Sequence, residues 1–389
     1  MMTRKTKVFA AIMVLLQGAV LSAAGPYAAD QPENLGGARF NDISLASLPG
    51  LPAADIAAAP EYTDAARYLS GSAAGMLVVE PDNARGPVLA LINGARRSLD
   101  VTIYTISDSQ VVNALTAAQK RGVAVRVIYN YNSFAAKNIF PNDKAVQAIT
   151  DAGGQARKAG TAYAITHQKT ITADGATSLI MTFNLSASYF ANSRDFGYLT
   201  SDPAQVREVE RVFEADWNGA AVTPAEDSLV WSPVNSRSKI LEIINGARRT
   251  LLVDNEETGD KQCMSALMDA AKRGVAVRFL TAVLAGYNAG PATDGGSSYT
   301  GAGGADANAA ERAALNAAGV QAKGATNHYM HAKMLLADYG TSAERGFIGS
   351  ENFSVTSLNK NRELGVVLTD AATLTKLDGV FESDWSANK

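Results

Sequence analysis

The chain has 389 residues, 47% of them hydrophobic and 19% charged, which is apolar material for one large or two medium cores and excludes disorder as the main state. With 35 basic and 38 acidic side chains the formal charge is −3, so the molecule as a whole has no long-range field to draw in nucleic acid or an anionic membrane. The single cysteine, Cys263, excludes an internal disulfide, and three histidines without a cysteine cluster do not make a zinc framework, so chemistry without a metal or other cofactor is expected.

Arg4, Lys5 and Lys7 precede an apolar run over residues 8–21, and Ser22-Ala23-Ala24 supplies small residues of the kind a signal peptidase accepts. Residues 1–24 are therefore expected to be a removed signal peptide, which places the mature protein in the medium or a bacterial periplasm. The run is about 14 residues long, short of the about 20 that a spanning helix needs. Residues 25–60, rich in Ala, Pro, Gly and Leu without clear periodicity, are read as a linker or strap.

From there the chain is written twice. Asn93-Gly94-Ala95-Arg96-Arg97 recurs 152 residues on as Asn245-Gly246-Ala247-Arg248-Arg249, and Lys120-Arg121-Gly122-Val123-Ala124-Val125-Arg126 recurs at the same lag as Lys272-Arg273-Gly274-Val275-Ala276-Val277-Arg278. Phe213-Glu214-Ala215-Asp216-Trp217 returns as Phe381-Glu382-Ser383-Asp384-Trp385 at a lag of 168, which marks an insertion between the two repeats. The expected halves are residues 61–222 and 235–389. Each is domain-sized and too long for a solenoid unit, so they should assemble as a pseudo-two-fold pair.

Local patterns within each copy alternate strand and helix. Residues 98–106 form a β-rich run, 110–120 carry apolar side chains at helical spacing, Gly122 is placed to end that helix, and 123–129 form a second strand. The second copy repeats this over 249–253, 261–272 and 275–280. Strand, helix and strand with a short return predict a parallel, right-handed crossover, hence an α/β fold with a helix-covered sheet in each copy. Cys263 falls among apolar neighbours on the second helix and reads as a small core residue. Tyr104 and Glu256 share the 152-residue lag near the carboxyl ends of their first strands, where α/β sites often lie, without a catalytic assignment.

The histidines carry the chemistry. Residues 164–174 alternate like a strand, which predicts His167 and Lys169 on one face about 7 Å apart. His331 and Lys333 have the same order and spacing, and Asp174 and Asp338 complete two HxKxxxxD patterns. On a regular strand those aspartates face away from the reacting side, which gives them a framework role. His328, at odd spacing from His331, reads as a loop or rim residue.

The chain resembles the phospholipase D superfamily, whose signature is HxKxxxxD followed by a Gly-Ser-x-Asn turn and a later acid. The second copy has Gly349-Ser350-Glu351-Asn352 and then Glu363, after a stretch over 339–348 that is four residues longer than its counterpart. The first copy departs from the pattern, with Met181-Thr182-Phe183-Asn184 in place of the turn and Asp195 as the acid. The resemblance runs from about residue 76 to about 385 and implies two homologous α/β/α sandwich halves on a pseudo-two-fold axis.

A phosphodiester gathers negative charge on its non-bridging oxygens during substitution. Lys169, Lys333 and the Asn184 and Asn352 amides can stabilise it, with Thr182 and Ser350 in support. One imidazole can attack phosphorus while the other protonates the departing alcohol and later takes a proton from water. Spacing does not say which histidine does which; the resemblance implies that His167 is the nucleophile and His331 the acid and base. Asp195 and Glu363 are candidates for holding the nitrogens that do not react, within or across copies.

The expected function is a secreted phospholipase D-type phosphodiesterase acting on phospholipid at a membrane or micelle surface, with phosphatidyl transfer as a further outcome and the chain as a monomer of pseudo-dimeric halves. A metal-independent nuclease acting on nucleic acid, and a catalytically silent phosphate- or membrane-binding protein, are the alternatives. Seven glycines in residues 286–304, interleaved with Tyr287 and Tyr299, predict a surface loop, read either as tolerated or as a lid over the substrate.

Overall fold

The predicted crossovers are built as β2 (Ser98–Ile103), the helix Ser109–Lys120 and β3 (Ala124–Tyr129) in the first half, and as β9 (Thr250–Asn255), the helix Lys261–Lys272 and β10 (Ala276–Ala282) in the second. Both strand pairs are parallel. This computed structural model describes residues 75–284 and 305–388, together with the backbone of two short strands at 287–288 and 298–299. The expected signal peptide and strap lie outside the described residues, as does most of the glycine-rich insert, where β11 (Tyr287–Asn288) pairs antiparallel with β12 (Ser298–Tyr299). Among the described residues no helix is long and apolar enough to cross a membrane.

The duplicated motifs set the helix ends. Asp108 and Asp260 are equivalent N-caps; each side chain accepts from two backbone N–H groups of the first turn and is paired with an arginine, Arg85 or Arg237, at 2.6 Å. At the other end Gly122 and Gly274 take φ of +93° and +91°, the left-handed turn that the repeated Arg-Gly supplies. Arg121 and Arg273 reach back to carbonyls of the preceding helices, at Ile92 and Asn93 and at Ile244 and Asn245, and so satisfy orphaned acceptors.

Each half adds four antiparallel neighbours and one parallel edge strand. The first sheet uses β1 (Met76–Glu80), β4 (Gln155–Lys158), β5 (Thr170–Ala173), β6 (Thr177–Met181) and β7 (Ser193–Thr200), in the order β1-β7-β6-β5-β2-β3-β4. The second uses β8 (Leu229–Ser232), β13 (Gln321–Ala325), β15 (Met334–Ala337), β16 (Arg345–Gly349) and β17 (Glu363–Leu368), in the order β8-β17-β16-β15-β9-β10-β13. Element for element the orders are the same, so the repeat in sequence is a repeat of topology.

Among the described residues each half has an outer core of its own, and a further cluster is shared between the two sheets. Val101, Leu115 and Val127 lie in the first outer cluster, Val253, Leu267 and Val277 in the second. The shared cluster joins Val79, Ile180 and Phe196 of the first sheet to Trp231, Leu252 and Leu364 of the second, with Val212 and Phe381 from the helices Pro203–Asn218 and Ala371–Ala387. Trp231 and Phe381 are fully buried there, and burying a large apolar side chain is worth about 1.5–3 kcal/mol each. Cys263 is buried in the second outer core.

Candidate active site

Residues 164–169 were expected to continue a strand. In the structure β5 begins only at Thr170, and the preceding segment leaves its own sheet for the other half. The backbone N–H groups of His167 and Gln168 both donate to the Arg362 carbonyl at 2.9 Å, and Arg362 N donates to the Ile165 carbonyl at 2.9 Å. The same exchange is made in reverse. His331 N and Ala332 N donate to the Arg194 carbonyl at 3.2 and 2.9 Å, and β14 (Tyr329–Met330) pairs with β7 at Ser193 and Arg194. The histidines therefore sit where each half inserts a short segment against its twin.

Their side chains cross as well. His167 Nδ1 lies 2.8 Å from Glu363 Oε2, and His331 Nδ1 lies 2.8 Å from Asp195 Oδ1. Pairing is thus across copies, the possibility that spacing left open. The shorter aspartate reaches its ring because Ser193 Oγ and Thr182 Oγ1 each donate to it at 2.5 Å, while Phe196 N donates to Thr182 at 2.8 Å. Glu363 receives Ser357 Oγ at 2.7 Å and Asn361 Nδ2 at 3.0 Å. Ser350 accepts from Leu364 N at 3.1 Å. A carboxylate at Nδ1 keeps a proton on that nitrogen and leaves Nε2 to react.

Both lysines are fully buried. Lys169 Nζ donates to the His167 carbonyl at 2.6 Å and Lys333 Nζ to the His331 carbonyl at 2.5 Å, so each ammonium is tied to the backbone of its own histidine. Burial lowers the Lys169 ammonium to about 7, against the pull of Glu363 and with help from the charge of Lys333. Burial likewise lowers the His167 ring to about 4; Glu363 opposes this, and Lys169 and Lys333 add to it. The crossed contacts of His167 with Glu363 and of His331 with Asp195 bring both His-Lys sets to one seam between the halves. Such a site can hold a small anion between two ammonium groups with an imidazole at either end.

The turns after the motifs differ for a packing reason. Gly349 faces Gly365 across β16 and β17, and a methyl group on either would collide with Gly365 Cα or with the Phe347 ring. In the first half Met181 faces Gly197, so one glycine suffices, and Phe183 joins the outer core where Glu351 stands in the second half. Among the described residues no other residue hydrogen-bonds the buried Glu351 carboxyl; burial first and then the charge of Glu363 push it well above the usual carboxylate range. Asn184 Oδ1 accepts from Thr105 N at 3.3 Å, and Asn352 Nδ2 donates to Glu257 at 3.2 Å.

Asp174 and Asp338 are not on regular strands. Both take positive φ, +57° and +53°, just past the ends of β5 and β15. Asp174 accepts the N–H groups of Arg96, Arg97 and Ser98 at 2.6–3.1 Å, and Asp338 those of Arg248, Arg249 and Thr250 at 2.6–3.1 Å. The repeated Asn-Gly-Ala-Arg-Arg is thus the receptor for the last residue of HxKxxxxD.

Sequence reasoning passed over several residues. Glu256 Oε2 lies 3.0 Å from Lys333 Nζ and 3.7 Å from His331 Nε2, inside the site. Its counterpart Tyr104 meets the His167 ring edge-on, with centroids 4.9 Å apart. Their shared lag and strand-end position were the available signal. The arginines whose carbonyls seat the histidines are also held across the halves, Arg194 by Asp384 and Arg362 by Asp216 at 2.7 Å. His328 is half-buried and takes no part in the crossed pairs.

The family model for the PLD-like domain of cardiolipin synthase matches residues 88–217 and 240–385. The chain belongs to the phospholipase D superfamily. As a member of this phosphodiesterase family it is 26% identical over 136 residues, 35% of its length, to the mitochondrial cardiolipin hydrolase of Xenopus laevis, and that match spans 62% of the relative. Among solved structures, polyphosphate kinase from Porphyromonas gingivalis superposes with a TM-score of 0.60 at 16% identity, over 81% of this chain and 49% of the kinase. Phosphatidylserine synthase from Haemophilus influenzae Rd KW20 gives 0.57 at 10% identity, over 84% of this chain and 90% of the synthase. At these identities the likeness is one of fold.

Proposed function

We propose that the protein is an exported phosphodiesterase of phospholipase D type that opens the head-group ester of a phospholipid through a phosphohistidine. The observation that carries this is the crossed pair, His167 with Glu363 and His331 with Asp195, around two buried lysines. His167, neutral above about 4, attacks phosphorus through Nε2 while His331 gives its proton to the leaving alcohol oxygen as the P–O bond breaks. Water then attacks the phosphorus, His331 takes the proton, and the P–N bond breaks to return His167 and release the phosphomonoester. An alcohol in place of water completes a transfer by the same route. Lys169 and Lys333 hold the non-bridging oxygens through both steps.

The test is to incubate the protein, chelator present, with phosphatidylcholine, phosphatidylethanolamine and single-stranded DNA in parallel, alongside His167→Ala and His331→Ala. Lipid cleavage that falls by at least about 10³-fold in both variants is expected. Cleavage of DNA alone would replace lipid by nucleic acid as the substrate, and cleavage of neither would leave a binding protein.

A further inference from the structure

The two His-Lys sets are symmetric in backbone and in carboxylate partners, yet they are not alike at the reacting face. Beside His167 stands the Tyr104 ring, with Lys169 Nζ 5.4 Å from its centroid. Beside His331, at the equivalent position, stands the Glu256 carboxylate, 3.7 Å from Nε2 and 3.0 Å from Lys333 Nζ. The Tyr329 hydroxyl donates to its other oxygen, and Asn308 Nδ2 holds its backbone carbonyl at 2.7 Å. Burial works to raise this carboxyl, but Lys333, His331 and Tyr329 outweigh it and hold the group well below its ordinary range, so it carries its charge. Lys333 is therefore spoken for by an internal anion. Among the described residues Lys169 forms no ion pair, and its charge is left for the phosphate.

We propose that Glu256 sets the charge of the alcohol that the site releases: a neutral or cationic leaving group is accepted beside His331, and one that carries a further phosphate is turned away. This rests on the phosphodiesterase reading above, with His331 serving the leaving oxygen, and does not require a lipid. A leaving oxygen protonated by His331 must come within about 3 Å of Nε2. With Nε2 itself 3.7 Å from the carboxylate, a charged group borne further along that alcohol can come to about 6 Å from it. Two unit charges at that separation, in an effective dielectric of about 20, change an equilibrium about a hundredfold, with the sign set by the alcohol. The Tyr189 and Tyr329 rings, whose centroids lie 4.7 and 5.9 Å from that of His331, add faces that attract a quaternary ammonium. An amino-alcohol head group satisfies both features. A polynucleotide or a bis-phosphate lipid, whose departing alcohol carries another phosphodiester, satisfies neither.

The test uses water-soluble methyl aryl phosphodiesters whose leaving phenol bears a trimethylammonium, a nitro or a sulfonate group, with kcat/KM measured on the intact protein and on Glu256→Gln and Glu256→Tyr. The intact protein should prefer the ammonium over the sulfonate substrate by tenfold or more. In Glu256→Gln that ratio should fall by about tenfold, with the sulfonate substrate gaining relative to the nitro one. An intact protein that turns over the sulfonate substrate as fast as the ammonium one overturns the proposal even if neither variant folds. A parallel loss on all three substrates in a folded variant overturns it too and reduces Glu256 to a partner of Lys333. Failure to cleave any diester sinks the phosphodiesterase reading itself, and the selectivity with it. Turnover of the aryl series with the predicted ratio, but of no phospholipid, upholds the selectivity and removes only the lipid.

Discussion

Arg194 of the first half is held by Asp384 of the second, with Nε 2.5 Å from Oδ2 and Nη2 3.0 Å from Oδ1, both side chains buried. The carbonyl of this same arginine receives the backbone N–H groups of His331 and Ala332. Removing one partner of a buried pair strands the other charge, at a cost of about 3–5 kcal/mol. Asp384→Ala should therefore lose that much in equilibrium urea unfolding. A loss under about 1 kcal/mol would mean that Arg194 finds another partner.

On the proposed mechanism the crossed carboxylates orient the imidazoles rather than bind the substrate. Glu363→Gln and Asp195→Asn keep the shape of each side chain and remove the charge that fixes the imidazole. Each should lower kcat by about 10²–10⁴-fold with KM little changed and far-UV circular dichroism preserved. Equal falls in affinity and turnover would argue instead for a collapsed site.

Two buried groups set the pH response. His167 is neutral above about 4 and Lys169 is cationic below about 7, so kcat/KM should rise through the first value and fall through the second, with limbs that belong to the coupled cluster. A bound phosphate anion favours the charged ammonium, so the basic limb of kcat should lie above that of kcat/KM. For stability the sign is the same for both groups. The unfolded ring binds its proton near 6.5 and the folded one near 4, so the ring's contribution is present above 6.5 and is lost as pH falls toward 4. For Lys169 the contribution present above 10.5 is lost as pH falls to about 7. A rate profile flat from pH 6 to 9 would contradict the lysine assignment.

A covalent route leaves a trace. With His331→Ala and a diester bearing an activated leaving group, attack needs no acid but hydrolysis still needs a base. The phosphoryl adduct should accumulate on His167 and be found by mass spectrometry of an alkaline digest. Accumulation on no residue, with turnover retained, would point to direct attack by water.

Asp338→Ala removes the acceptor of three backbone N–H groups, at about 1–3 kcal/mol for each that water does not reach. The melting temperature should drop while the folded fraction keeps its kcat. A selective loss of kcat would move this residue from framework to chemistry.

Much of this was legible in the residues. The lags of 152 and 168 gave the two halves, and period and Arg-Gly punctuation gave the crossovers to within a few residues. The HxKxxxxD spacing gave both histidines and both lysines. What the pattern could not carry was the partner of each group. Strand periodicity over 164–174 holds in the first sheet only from β5 onward, whereas His167 and Gln168 just before it donate to Arg362 of the other half. The repeated Asp216 and Asp384 were visible as a motif, but their role lies across the interface and no local rule assigns it. Glu256 and Tyr104 share a strand-end position at the 152-residue lag, which by itself assigns neither a role, and the difference between the two is the point.

The exchange of acids between the halves also bears on how such a machine is kept silent. Neither twin contains a complete reacting imidazole of its own, since Glu363 arms His167 and Asp195 arms His331. A first half without the second keeps His167 but has no Glu363 to meet it, and a second half alone keeps His331 without Asp195, so each imidazole is completed only by its twin.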